Sequence, residues 1–203
     1  MPQTPSQEFL AQPYRVHSFL ADVPLHDVWT LDLPALREGI TLQEFRRSVR
    51  RLETASKFSL PARVLFRLRF LLGRIFGWDE EPKEAPAWSF AKRLTAQDRE
   101  RSAVSAGTPD GIFRVVYSFE NEILLEVINR TVHAAAWSAL ERTPAGYRFF
   151  LAIYVRKLRW ITPVYMALID PFRRWVVYPA LLKQLQRSWT EAFAPGATPG
   201  ATE

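Results

Sequence analysis

Apolar residues recur along this chain in two periods, and the switches between them mark out the elements. From His26 to Leu33, Val28, Thr30 and Asp32 alternate with Trp29, Leu31 and Leu33, a period of two that predicts a first strand, ended by Pro34. From Thr41 the period lengthens. Leu42, Phe45, Val49 and Leu52 share one face of a helix, Thr41 suits the N-cap, and Glu44 three residues on completes a capping box. A second helix is expected from Pro61 to Phe76. Val64, Leu68, Leu71, Leu72 and Ile75 form its apolar arc, Arg63, Arg67 and Arg74 gather opposite, and Gly77 closes it. Trp78–Ala87 reads as an acidic, proline-containing loop. Ser89–Arg93 is expected as a short strand and Ala96–Arg101 as a helical turn.

After the turn residues Gly107–Gly111 the short period returns. Strands are expected at Ile112–Phe119, Ile123–Ile128, Val132–Leu140 and Tyr147–Lys157, joined by turns short enough to make an antiparallel meander. The last of them is apolar on both parities: Tyr147, Phe149, Leu151, Ile153 and Val155 on one, Phe150, Ala152 and Tyr154 on the other. Such a strand is covered on both sides or faces a cavity on one of them. The run Ala134-Ala135-Ala136 leaves room over the sheet for a helix or a ligand. Thr162-Pro163 then opens a long final helix with Val164, Leu168, Trp175, Tyr178, Leu182, Leu185 and Trp189 in one arc. Pro171 and Pro179 interrupt it, with Asp170-Pro171 as the expected break.

A single domain over 22–192 is expected, preceded by an irregular arm over 1–21 with a turn of helix at Ser6–Ala11, and followed by a disordered Ala/Pro/Gly/Thr tail over 193–203. Sheet first and helix last place the chain in the α+β class. Apolar residues make up 48% of its 203 residues, and with 13% aromatics this excludes a disordered chain and permits a large core or an apolar cavity. The absence of cysteine excludes disulfides and thiolate metal sites. No apolar run of membrane-spanning length and no secretory leader pattern appears, so a bacterial-type cytoplasmic protein is expected.

A net charge of +6 permits attraction to anionic surfaces. Weak contact with an anionic membrane would use Arg63, Arg67 and Arg74. A nucleic-acid partner is not expected, because that basic stripe lacks interleaved aromatics. Glycine-rich phosphate loops, the nucleophile elbow and His-Glu-x-x-His are all missing. His17, His26 and His133 are too scattered to predict a metal site, and no cofactor is expected.

Strand, two short helices, meander and long final helix resemble the helix-grip fold of START-like lipid-transfer domains, pathogenesis-related allergens and polyketide cyclases. More closely, LFRLRFLLGRIFG at Leu65–Gly77, ENEILL at Glu120–Leu125 and VYMALIDPFRRWVVYPALL at Val164–Leu182 resemble the domain of unknown function 2867 family in that superfamily. The family's His after the Pro-Phe pair is Arg173 here, and its His-Leu-Asp run is His133-Ala134-Ala135. The resemblance implies a curved antiparallel sheet wrapped around the C-terminal helix, with an apolar cavity between them.

These readings point to a module binding an apolar or amphipathic small molecule or lipid. His133, Trp137, Phe149, Leu151, Tyr154, Tyr165, Phe172 and Trp175 are the expected lining. Two alternatives stand beside it. One is a cyclase- or hydrolase-like enzyme using a few polar groups of the same cavity, with His133, Tyr154, Arg156, Tyr165 and Asp170 as candidates. The other is a membrane-surface or interaction protein using the basic helix face.

Overall fold

The computed structural model describes residues 6–55, 86–128, 132–157 and 173–193. In order these form α1 (Ser6–Leu10), α2 (Arg15–Phe19), β1 (Leu25–Pro34), α3 (Leu42–Ala55), a 3-10 turn (Phe90–Arg93), α4 (Ala96–Arg101), β2 (Pro109–Asp110), β3 (Phe113–Ser118), β4 (Glu122–Ile128), β5 (Val132–Thr143), β6 (Gly146–Lys157), a π-helical turn (Arg173–Val177) and α5 (Tyr178–Phe193). The expected helix at 61–76, the start of the final helix and the tail from 194 lie outside the described residues, as do Arg63, Arg67, Arg74, Tyr165, Asp170 and Phe172.

The strands form one antiparallel sheet in the order β1-β6-β5-β4-β3-β2. The meander is as the turns predict. β1 joins it at the far end, pairing Trp29 with Leu151 and Leu33 with Tyr147. The β5–β6 hairpin turns at Pro144-Ala145, and Gly146 is there of necessity. Its φ is +142°, and a Cβ would lie 2.4 Å from the Leu33 carbonyl oxygen.

The sheet carries a cover on both faces, one of the two arrangements that the double apolar parity of β6 allows. Its odd residues Tyr147, Phe149 and Leu151 pack with Trp29, Leu31, Phe45, Tyr178, Leu182 and Trp189. This is the helix-grip side: the curved sheet holds the C-terminal helix α5. Its even residues Phe150, Ala152 and Tyr154 pack with Phe9, Val16, Leu20, Phe90, Leu94 and Trp137. That second cover consists of α1, α2, the 3-10 turn and α4. The segment expected as an irregular arm thus supplies core: Phe9 and Val16 are fully buried.

α3 starts as its capping residue predicts, with the Glu44 N–H donating to Thr41 Oγ1 at 3.2 Å. Its face holds Leu42 and Phe45, and Phe45 meets both Phe149 (5.4 Å) and Trp189 (5.2 Å) edge-on. α4 has a full capping box between Thr95 and Asp98.

Two local expectations are overturned. Ser89–Arg93 is a 3-10 turn, not a strand. The Ser89 side chain accepts from the Ala91 N–H at 3.2 Å, and the Phe90 N–H is taken by Glu126 at 2.9 Å, so no ladder partner is needed. Trp175, placed by an ideal wheel in the apolar arc, is 79% exposed. The reason is the π-helical turn at Arg173–Val177, whose wider winding breaks the 3.6-residue phase. Pro179 falls where that turn becomes α-helix, in the first turn of α5, and there its missing N–H is tolerated. From Tyr178 onward the spacing holds: Tyr178, Leu182, Leu185, Trp189 and Phe193 are all buried.

Candidate functional site

Polar side chains gather in two places, one on each face of the sheet. On the face covered by α1 and α2, β4 alternates Glu122, Leu124 and Glu126 inward. Ser89 Oγ donates to Glu126 at 2.5 Å, and His133 Nε2 lies 3.0 Å from the same carboxylate. Burial alone would raise the Glu126 carboxyl. The hydrogen bonds from His133, Ser89 and the Phe90 N–H outweigh it and hold the group below its usual range. The His133 ring stacks on Phe90 at 3.7 Å and is fully buried. This is a clamp that fastens the 86–93 segment to the sheet, since every group in it is enclosed.

Glu122 serves the other end of that face. It accepts from Trp137 Nε1 at 2.6 Å, the Arg15 N–H at 3.3 Å and the Tyr117 hydroxyl at 3.3 Å. Burial nevertheless pushes its carboxyl up. Arg15 makes a two-pronged pair with Asp98 at 2.9 and 3.1 Å. That hydrogen bond, with those from Thr95, holds Asp98 down at about 2. Tyr14 bonds Glu141, and burial followed by that contact raises its hydroxyl. Tyr154 is buried with its hydroxyl unbonded among the described residues, and burial, then the nearby Glu122 charge, pushes its pKa up.

The second place is at the start of α5. Asp27 lies on the parity of Trp29, Leu31 and Leu33, and its side chain is wholly enclosed. The Tyr178 hydroxyl donates to its Oδ2 at 3.3 Å, His26 Nε2 lies 3.6 Å away, and Arg174 approaches Oδ1 at 3.5 Å. Tyr178 also packs on Trp29, ring centres 4.9 Å apart. Trp29 Nε1 is buried with no hydrogen-bond partner among the described residues.

A floor runs across the sheet from this cluster. The register places Asp27 beside Ile153, Ile153 beside Ala136, and Ala136 beside Leu125. The next row is Val155, which is buried, then Ala134 and Val127. Ile153, Ala136, Leu125, Ala134 and Val127 are each only half-buried, whereas Phe149 and Leu151 under α5 are closed over. A separate groove of about 340 Å³ lies at the opposite end of β1 and β6, lined by Asp32, Pro34, Pro144 and Arg148. It is not between sheet and helix.

The sheet therefore divides the residues expected to line one cavity. His133, Trp137 and Tyr154 point into the face covered by α1 and α2. Phe149 and Leu151 point under α5, and Trp175 points to solvent. No single cavity contains them. Ala134 and Ala136 do lie on the helix-grip face, while Ala135 turns the other way, between Tyr154 and Glu126 in register. Asp27, Arg174 and Tyr178 were missed by sequence reasoning. Their signal was a carboxylate at a core parity of β1, next to Trp29. Among the described residues no cluster of histidine and carboxylate ligands suits a metal ion. No described helix is long and apolar enough to cross a membrane.

Among known proteins, the family model described as "Protein of unknown function (DUF2867)" matches residues 19–180, and the chain belongs to that family. No curated protein and no solved structure matches it.

Proposed function

We propose that this member of a family without an assigned activity is a binding module for an amphipathic small molecule. The molecule lies on the helix-grip face, over the rows of Ile153, Ala136 and Leu125 and of Ala134 and Val127. One observation carries the reading. The half of this face under α5 is packed shut, while the neighbouring half presents contiguous small and apolar side chains that remain half-buried, beside a buried polar cluster. An apolar surface with a few polar groups at one end is the usual make-up of a small-molecule site.

The fluorescence of N-phenyl-1-naphthylamine, a neutral apolar probe, tests this. Saturable enhancement is expected with the purified protein. Ala136→Phe, which fills the middle of the floor, is expected to weaken it at least about tenfold with an unchanged thermal midpoint. Equal binding by both proteins, or none by the wild type, would sink the reading.

A further inference from the structure

The polar end of the floor specifies what kind of head group the molecule carries. Several ion-paired arginines here hold a carboxylate at ordinary hydrogen-bond distance. Arg93 grips Asp22 at 2.6 and 2.9 Å, Arg15 grips Asp98 with two nitrogens, and Arg148 bonds Asp32 at 2.7 Å. Arg174 differs. Its partner among the described residues is Asp27, at 3.5 Å, and its side chain is 46% exposed. A guanidinium has five N–H donors in a planar fork, so one long contact leaves most of them available. The carboxylate that tethers it is itself enclosed, so an arriving ligand meets the arginine and not the aspartate.

An independent observation points the same way. Trp29 Nε1–H is a donor only, it is buried, and it has no acceptor among the described residues. An unsatisfied buried donor costs about 1–3 kcal/mol unless something accepts from it. Tyr178 links the two donors, bonding Asp27, the partner of Arg174, with its hydroxyl and packing its ring on Trp29. Both ask for an acceptor, and one of them carries positive charge.

We propose that the ligand is an amphipathic anion, a carboxylate with an aliphatic tail, whose head lies between the Arg174 guanidinium and the Trp29 indole N–H. The tail runs over Ile153, Ala136 and Leu125. Three strand spacings separate Asp27 from Leu125 in the register, roughly 14 Å, which suits a medium-length chain. Asp27 acts as a positioning residue: it holds Arg174 at the head of the floor without competing for the ligand from the solvent side.

The proposal rests on the binding reading above, and competition with two tail-matched molecules separates the two. Decanoate and 1-decanol are titrated against bound N-phenyl-1-naphthylamine, at a pH well above the carboxylate range. Decanoate is expected to displace the probe at about tenfold lower concentration than decanol. Arg174→Gln is expected to abolish that difference and leave decanol unchanged, and Arg174→Lys to retain part of it. Trp29→Phe should weaken decanoate severalfold and spare decanol. Because Arg174 is half exposed, its two variants are expected to keep the wild-type thermal midpoint, and Trp29→Phe, at a buried position, is compared at a temperature where it is fully folded. A second measurement on the unmodified protein is salt, which should narrow the gap by weakening decanoate alone. Equal displacement by decanoate and decanol, with the probe saturably bound, overturns the anionic head group and leaves the binding module standing. Absence of probe binding overturns both.

Discussion

The two faces of the sheet bury similar amounts of aromatic side chain and do so in different ways. The face under α1 and α2 is closed and carries its polar groups inside: Glu122 and Glu126 each collect three hydrogen bonds, from neighbouring strands and from the segments that cover them. The face under α3 and α5 is closed by apolar packing over one half and remains half-buried over the other. Enclosed carboxylates bonded to several segments at once fix the position of a cover, although the Tyr154 hydroxyl, His133 Nδ1 and both His17 ring nitrogens on this face have no hydrogen-bond partner among the described residues. A partly exposed apolar floor beside unfilled donors is suited to an exchangeable guest. Polar residues alone therefore misdirect a search for the site. On the proposed reading the polar-rich face is the structural one.

That contrast predicts that substitutions on the first face change stability without changing ligand binding. The largest effects come from the packed halves. Trp189→Ala removes a buried indole, its contacts to Phe45, Tyr147 and Phe193, and its 2.8 Å bond to the Pro34 carbonyl. A loss of about 3–5 kcal/mol is expected in chemical denaturation. His133→Ala deletes the ring stacked on Phe90 and one partner of the Glu126 carboxylate. About 3 kcal/mol is expected, with probe binding unchanged. A loss of binding at full stability would place the site on the wrong face.

Smaller effects are read through pH. Asp98 sits at about 2 in the folded protein, below its ordinary value. Its contribution is therefore present above the ordinary aspartate range and lost as pH falls toward about 2. Asp98→Asn should cost roughly 2 kcal/mol at neutral pH, and the difference from wild type should shrink on acidification. Glu122 has the opposite sign. Its carboxyl is raised, so the folded state takes up a proton more readily than the unfolded chain, and wild type gains stability as pH falls from neutral through that raised value. Glu122→Gln keeps an acceptor for Trp137 and Tyr117 and removes the buried charge. It should be stabilising by under about 1 kcal/mol at neutral pH, and the advantage should fade in acid. Thermal midpoints of both variants across the acidic range give the two slopes, and slopes of the same sign would contradict the assignment.

Much of this fold was legible because it rests on local rules. β1 follows alternation, β3–β6 follow apolar runs cut by short turns, and Thr41 places the start of α3. The double parity of β6 called for two covers or for one cover and a cavity, and both faces carry a cover. It could not say what they were, because nothing in a strand's pattern names its partner. Phe9 and Val16 looked like part of a loose arm, since two helices of five residues carry too little periodicity to register. Trp175 was misplaced because a π-helical turn shifts phase without a sequence mark that a wheel can see. Family resemblance supplied the α5-on-sheet arrangement, and the site proposed beside it rests on Asp27, a carboxylate at a core parity of β1.

The pairing of β1 with β6 also sets an order of events when the chain is made. Leu25 meets Tyr154 and Pro34 meets Gly146, so the first strand has no neighbour until the last is complete. Until then Trp29, Leu31 and Leu33 on one side and Phe9 and Val16 on the other have no surface to cover them. Contacts this distant in sequence close slowly. A nascent chain therefore carries its most apolar N-terminal stretch unprotected through most of synthesis, and its escape from aggregation depends on how fast the final hairpin captures that stretch.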